Sequence, residues 1–238
     1  MARCRPRLRS RYSPQRLPTD KATTRPLPRP MLTLYHHPQS CSIASLFALE
    51  EAGAPYEVVN VDLAGGEQTR PAYLAVNPKG RVPALRTAQG ILTETPAILT
   101  YVAQCFPAAG LAPHGDAFGF ARLQSVLSYL CSTVHVAHAH RMRGYRWVDA
   151  DDTAALQAMQ RKVPQSMAAC FDLIEREMLA GPWVLGDAYS VADPYLFTIT
   201  RWLPGDGVDV ARFPRVREHA ERTAARPAIA RVLASLPG

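Results

Sequence analysis

The 238-residue chain changes its period once, at a turn-rich stretch over residues 107–116, and this limits the possible architectures more than any other feature. Ahead of the stretch, strand-like and helix-like segments alternate. Leu32 to His36 reads as a short strand and Ser42 to Ala52 as a helix stopped by Gly53. Tyr56 to Val61 is β-branched and reads as a strand. Glu67 to Val76 reads as a short helix. Val82 to Arg86 and Ile91 to Thr93 flank Ala88-Gln89-Gly90 as a hairpin, and Pro96 to Phe106 is a third helix. After the stretch no comparable strand signal recurs. Leu123, Val126, Leu127, Leu130 and Val134 step at helical spacing. Leu156, Met159, Val163, Met167, Cys170, Ile174 and Met178 place one stripe on a long helix, which Pro164 should kink. The stripe reads as core packing rather than a sulfur-rich ligand surface. Ser190 and Asp193 have capping-box spacing, the hydroxyl bonding the Asp193 amide and the carboxylate returning to the Ser190 amide. A mixed sheet covered by helices, followed by an all-helical region, is the architecture this pattern allows.

Charge sharpens the division. The formal net charge is +7, yet residues 1–30 carry nine Lys/Arg and one acid, hence +8, and the rest of the chain sums to −1. The body is close to neutral, which argues against a basic nucleic-acid-binding fold. Residues 1–30 also hold six prolines and almost no large apolar side chains, so they are expected to be disordered or weakly tethered. A basic arm, a transit peptide and an extension ahead of a start at Met31 compete for this segment. The last is preferred, because a complete strand begins at Leu32.

The longest uncharged run, between Arg122 and Arg141, contains Gln124, three serines, Thr133 and three histidines. It is too polar to span a membrane and reads as a buried helix. The five cysteines are scattered, with no CxxC pair, so neither a disulfide framework nor a zinc site is favoured and a reducing cytoplasm fits.

Several segments together resemble the soluble glutathione transferases. Asn77-Pro-Lys-Gly-Arg-Val-Pro-Ala-Leu85 is similar to the stretch leading into that family's cis-proline. Glu94-Thr95 before Pro96-Ala-Ile-Leu is similar to its Glu-Ser pair at the third helix. Ser190-Val-Ala-Asp193-Pro-Tyr-Leu-Phe is similar to its helical-domain folding motif. Pro38-Gln-Ser-Cys41-Ser and Thr198-Ile-Thr-Arg201-Trp202 resemble the bacterial beta class. The likeness covers about residues 31–236. It implies a thioredoxin-like βαβαββα domain over residues 31–107, a linker over 108–116, an all-helical domain over 117–238 and a homodimer.

An enzyme of this kind must hold an anionic tripeptide and favour its thiolate. The resemblance implies that Cys41, at the start of the first helix, contacts the glutathione sulfur by hydrogen bond or mixed disulfide; from the residues alone an inert buried cysteine is the preferred reading. Ser40 is the alternative catalyst and Ser42 a helper, while both also suit helix capping. Tyr35 is a weaker candidate. Val82, before Pro83, is expected to present its backbone to the cysteinyl part of glutathione, and the Asn77-Pro-Lys-Gly80 context favours this over an ordinary strand-start proline. Glu94 and Thr95 open a helix whose free amides suit the γ-glutamyl carboxylate, although helix-start preference alone explains the pair. His135 matches the beta-class histidine near the sulfur. With His138 it forms a two-histidine helix face for which metal binding is the lesser reading and a polar cleft lining the better one. Ser128 is expected to reach a partner subunit's glutathione.

Two departures stand out. Val136 follows the histidine where the beta class often has lysine, and Gly65-Gly66 occupies the region of its other glutathione-contacting lysine. Arg70, Lys79 or Arg81 are candidates to compensate. The stretch Arg141, Met142, Arg143, Tyr145, Arg146 and Trp147 is unlike the beta class and reads equally as a pocket wall or a solvated helix end. Three functions fit: conjugation of glutathione to hydrophobic electrophiles, the preferred one; a thiol transferase or disulfide reductase using Cys41; and a non-enzymatic glutathione-binding protein. No metal, nucleic acid or membrane partner is expected.

Overall fold

A computed structural model describes residues 31–236; the expectations for residues 1–30 lie outside the described residues. The first part runs β1 (Leu32–His36), α1 (Ser42–Glu51), β2 (Tyr56–Asn60), α2 (Pro71–Leu74), β3 (Ala84–Thr87), β4 (Gly90–Thr93) and α3 (Thr95–Cys105). This is the expected βαβαββα order. The sheet order is β2-β1-β3-β4. β1 pairs in parallel with β2, the two joined through α1, while β3 returns antiparallel to β1 with Leu34 opposite Leu85. β1 alternates as its sequence demands, with Leu32, Leu34 and His36 buried and Thr33 and Tyr35 half-buried. β2 is an edge strand, so Val58 and Val59 stay exposed despite their β propensity.

The differences from the sequence reading are local and have backbone causes. The segment from Glu67 to Val76 divides into a single turn, Glu67–Thr69, and α2. Arg70 between them is extended (φ −78°, ψ 149°), because Pro71 excludes it from the helical region. β3 begins at Ala84 rather than Val82, since the Val82-Pro83 peptide is cis and proline donates no ladder bond.

The helical part holds α4 (Ala117–Tyr129), α5 (His135–Ala139), α6 (Thr153–Leu173), α7 (Ala192–Thr200), α8 (Pro214–Ala224) and α9 (Pro227–Ser235). α4 and α5 form one helical stretch joined by a π turn at Leu130–Val134. α6 carries the predicted stripe, with Val163, Met167 and Cys170 buried and Ile174 buried in the π turn that follows, and it continues through the exposed Pro164. At α7 the Asp193 carboxylate accepts from the Ser190 amide (2.7 Å), as the spacing predicts. The Ser190 hydroxyl, however, accepts from Ala192 N (3.3 Å) rather than Asp193 N, and itself donates to the carboxylate (3.1 Å). One buried cluster runs from β1 through α9, so both parts share a core. Among the described residues no helix is long and apolar enough to cross a membrane.

Candidate active site

The loop from β1 to α1 is closed by its own hydroxyls. Ser42 Oγ lies 2.7 Å from His36 Nδ1 and 2.7 Å from Ser40 Oγ, and it accepts from His37 N at 3.0 Å. Ser40 Oγ donates to the His37 carbonyl (3.0 Å) and accepts from Ser42 N (3.2 Å). Both serines are thereby engaged within the loop, and Ser42 is fully buried. Burial first, and the neighbouring His37 second, hold His36 down at about 4.

This net fixes Cys41 at the head of α1. Its thiol is buried and donates to the Val82 carbonyl at 3.7 Å, the residue before cis-Pro83. Burial pushes the Cys41 thiol up to about 11; a hydrogen bond with the Thr95 side chain pulls it back, and Cys131 and Glu94 raise it further. Desolvation therefore outweighs the helix-start effect that lowers exposed thiols, and Cys41 is a protonated donor at neutral pH. The approach to Val82 is held equally firmly. Tyr73 Oη (2.8 Å) and Asn77 Nδ2 (2.6 Å) both donate to the Arg81 carbonyl. Gly80 turns the chain with φ +60°, and a Cβ there would stand 3.1 Å from the Gln68 carbonyl.

Glu94 and Thr95 lie at the start of α3, as expected. Glu94 has φ +73°, an unfavourable backbone region for a residue with a Cβ, at a cost of about 1 to 3 kcal/mol. This conformation lets α3 begin at the buried Thr95, whose side chain meets Cys41. Lys79 Nζ holds the Glu94 carboxylate at 2.5 Å and donates to Thr93 Oγ1 at 2.9 Å.

The remaining candidates lie in the helical part. His135 packs with its ring 5.0 Å from Trp202. Burial first, then His138, Arg146 and Arg81, hold it down at about 4, against an opposing pull from Glu94. His138 stacks on Trp202 at 4.2 Å and 21°, and its Nδ1 lies 2.7 Å from the buried Asp206 carboxylate, which also takes Arg141 at 3.2 Å. Among the described residues no group of three His, Cys, Asp or Glu could hold a metal ion. Ser128 lies exposed on α4, where its carbonyl accepts from Ser132 Oγ (2.8 Å), and no described bond joins it to the other candidates. Cys41, Val82 and Thr95 are thus brought into contact. Glu94 precedes Thr95 at the same helix start, His135 packs on Trp202 in the helical part, and the serines bond within the loop. Cavities of about 180 Å³ beside Tyr189 and about 330 Å³ beside Tyr56 lie elsewhere, and neither is lined by Cys41, Val82, Glu94 or His135.

Comparison with known proteins identifies the family. The family model "Glutathione S-transferase, N-terminal domain" matches residues 30–104, and "Glutathione S-transferase, C-terminal domain" matches residues 146–222. A glutathione transferase homologue from Sulfitobacter, solved with bound glutathione, is 51% identical, with a TM-score of 0.82 over 86% of this chain and 97% of that one. The chain belongs to the glutathione S-transferase family. A beta-class glutathione S-transferase from Sphingomonas chungbukensis is 33% identical over 85% of this chain and 98% of its own, with a TM-score of 0.74. A maleylacetoacetate isomerase from Pseudomonas aeruginosa is 33% identical over 202 residues, 83% of this chain and 92% of that protein.

Within this glutathione S-transferase, sequence reasoning missed Asp206, Cys131 and Tyr195. Asp206 meets its partners from 65 and 68 residues away, so no local spacing announces it. Tyr195 is fully buried; burial first, then Cys41 and Cys131, hold its phenol above the usual range. Cys131 sits on the π turn, a helix irregularity often found at functional sites. Trp202 was visible in the beta-like segment without a role.

Proposed function

We propose that this glutathione S-transferase is a cytoplasmic homodimer that conjugates glutathione to small hydrophobic electrophiles, with residues 31–107 binding glutathione and residues 117–238 closing the second-substrate pocket beyond a 108–116 linker. The observation that carries the reading is the Cys41 thiol, protonated and resting on the Val82 carbonyl beside cis-Pro83. When glutathione adds its cysteinyl backbone along Val82, its N–H takes the Val82 carbonyl and frees Cys41 S–H to donate to the glutathione sulfur. A hydrogen bond to the charged form of a thiol lowers its pKa. The α3 start at Thr95 takes the γ-glutamyl carboxylate, and Glu94 accepts from its ammonium. Neutral His135 lines the electrophile's side, and Ser128 serves the glutathione of the other subunit. The glutathione thiolate then attacks the electrophilic carbon; the new C–S bond forms as the leaving group departs with its electron pair, or as a proton reaches the neighbouring carbon in an addition.

The mixed-disulfide reading needs Cys41 as a thiolate, which its burial opposes. Variants at Cys41 separate the readings. Cys41→Ala should keep binding to immobilised glutathione and lower conjugation of chlorodinitrobenzene by about 10- to 100-fold, the worth of one hydrogen bond to a charged group. Retained conjugation with loss of disulfide reduction would favour the thiol-transferase reading. No retention of the wild-type protein at millimolar glutathione would sink the central claim, and binding without turnover across a panel of electrophiles would leave a binding protein.

A further inference from the structure

The cavity of about 330 Å³ beside Tyr56 lies between the edge strand β2 and helices α1 and α9, and neither Cys41 nor Val82 lines it. Leu46, Val58, Val232 and Leu236 give it apolar walls, and His36 reaches it from β1. His36 is 2% exposed, and its Nε2 is buried with no hydrogen-bond partner among the described residues. A buried polar atom left in this way costs about 1 to 3 kcal/mol, which a ligand group or water recovers. Asn60 is the Cα partner of His36 across β1 and β2, so the two side chains share a sheet face, and both line the cavity.

The hydroxyls of the loop between β1 and α1 decide which His36 nitrogen carries the proton. Ser40 Oγ donates to the His37 carbonyl, and Ser42 Oγ then donates to Ser40 Oγ at 2.7 Å. Ser42 Oγ is left to accept, and His36 Nδ1–H donates to it at 2.7 Å. The reverse arrangement, with Ser42 donating to Nδ1, makes one bond fewer and buries an orphan N–H at Nε2. Nε2 is therefore a bare acceptor, and burial keeps the ring neutral at neutral pH. The other polar groups on the walls are engaged. Glu50 accepts from Tyr56 Oη and pairs with Arg231 at 3.2 Å, and Ser235 Oγ donates to the Val232 carbonyl at 2.7 Å. The lining residues thus offer apolar walls, no unpaired charge and one open acceptor beside the Asn60 amide.

We propose that this cavity is a second ligand site, which takes a small uncharged molecule with an apolar body and one hydroxyl, the size of an alkylphenol, donating to His36 Nε2. A donor is required because Nε2 offers only a lone pair. An uncharged molecule is required because Glu50 and Arg231 already neutralise each other, so an acid or an amine would be desolvated without a partner. The volume suffices, since an apolar cavity of about 150 Å³ in another protein holds a benzene ring. The site is separate from the glutathione cleft and does not rest on the conjugating reading. It backs onto the candidate catalytic loop, because the ring that meets the ligand through Nε2 holds Ser42 through Nδ1.

The test uses the full chain with nitrogen-labelled histidine, followed by NMR, with His36→Asn to assign the His36 resonances and S-hexylglutathione added to fill the glutathione cleft. In the free protein the proton should sit on Nδ1. p-Cresol should then move the Nε2 resonance saturably, at millimolar concentration or below. p-Methylanisole, which keeps the shape but cannot donate, should bind about tenfold more weakly, the worth of one hydrogen bond. Val58→Trp, at an exposed position of β2 that walls the cavity, should abolish the shift and leave Nδ1 protonated, with circular dichroism confirming its fold. A proton on Nε2 in the free protein, or equal affinity for the two probes, overturns the proposal without any variant that alters the cavity. The absence of a saturable shift would mean that water alone satisfies Nε2, and a shift that survives Val58→Trp would place the probe elsewhere; either also overturns it. A protein that fails to bind S-hexylglutathione sinks the conjugating reading and leaves this one standing, since Val58→Trp by itself separates the cavity from the cleft.

Discussion

His36 leaves water on folding and stays neutral for that reason. It is 2% exposed, and its folded-state pKa is lowered from 6.5 to about 4. Between those values the unfolded chain binds the proton and the folded chain does not, so stability rises with pH across the window. The contribution is fully present above 6.5 and is lost as pH falls toward 4. A shift of this size corresponds to about 3 kcal/mol at most. His36→Asn removes the titration and keeps a polar atom for Ser42. Urea unfolding should show the gap between wild type and this variant closing by about 2 to 3 kcal/mol from pH 7 to pH 4. A gap independent of pH would mean that His36 charges freely. His135 behaves in the same sense, so the conjugation rate between pH 6 and 8 should show no step from its titration. Cys41 illustrates what sequence can say at this scale. Its place at a helix start was legible, but its protonation depends on Val82, Thr95 and Cys131, brought in from 41 to 90 residues away.

At the scale of elements, Asp193 does more than cap α7. Its carboxylate, with no exposure, accepts from Val184 N (2.8 Å) and Ser190 N (2.7 Å), and lies 2.9 Å from His219 Nε2 on α8. One side chain therefore ties the loop before α7, α7 itself and α8. Asp193→Ala should cost about 3 to 5 kcal/mol, because it leaves buried donors unpaired as well as removing a cap. Ser190→Ala, which removes only the hydroxyl, should cost about 1 kcal/mol. Chemical denaturation midpoints at fixed slope would check both, and equal costs would reduce Asp193 to an ordinary cap. Three-residue spacing made the Ser190–Asp193 contact readable in the sequence. His219, 26 residues on, carried no such signal, and Asp206 with His138 and Arg141 was hidden for the same reason. Elements governed by period and by proline were legible, since those rules act within a few residues. The division of the Glu67 to Val76 segment was legible in principle, because Pro71 dictates it locally.

At the scale of the molecule, α1 belongs to the sheet by connectivity and to the helical part by packing. Phe47 meets Phe197 of α7 at 5.8 Å. Glu51 holds Arg226 through both carboxylate oxygens, at 2.6 and 2.7 Å, and Glu50 reaches Arg231 at 3.2 Å. The buried cluster crosses this seam without a break, so exposing either half would strip apolar surface from the other. Period alone divides the chain in two, but the core does not, and the two parts should therefore unfold together. The chain supplies its own probes for this. All three tryptophans, at 147, 183 and 202, lie in the helical half, so their fluorescence follows that half. Cys41, buried at the head of α1, reports on the other half through its reaction with a thiol reagent. Across a urea titration, loss of Trp fluorescence and gain of Cys41 reactivity should share one midpoint. Cys41 becoming reactive at distinctly lower urea would show the sheet part opening while the helices hold, and would break the coupling argued from α1. Arg226→Ala should lower that shared midpoint without splitting it, because the ion pair stabilises the seam while the apolar cluster on both sides carries the cooperativity.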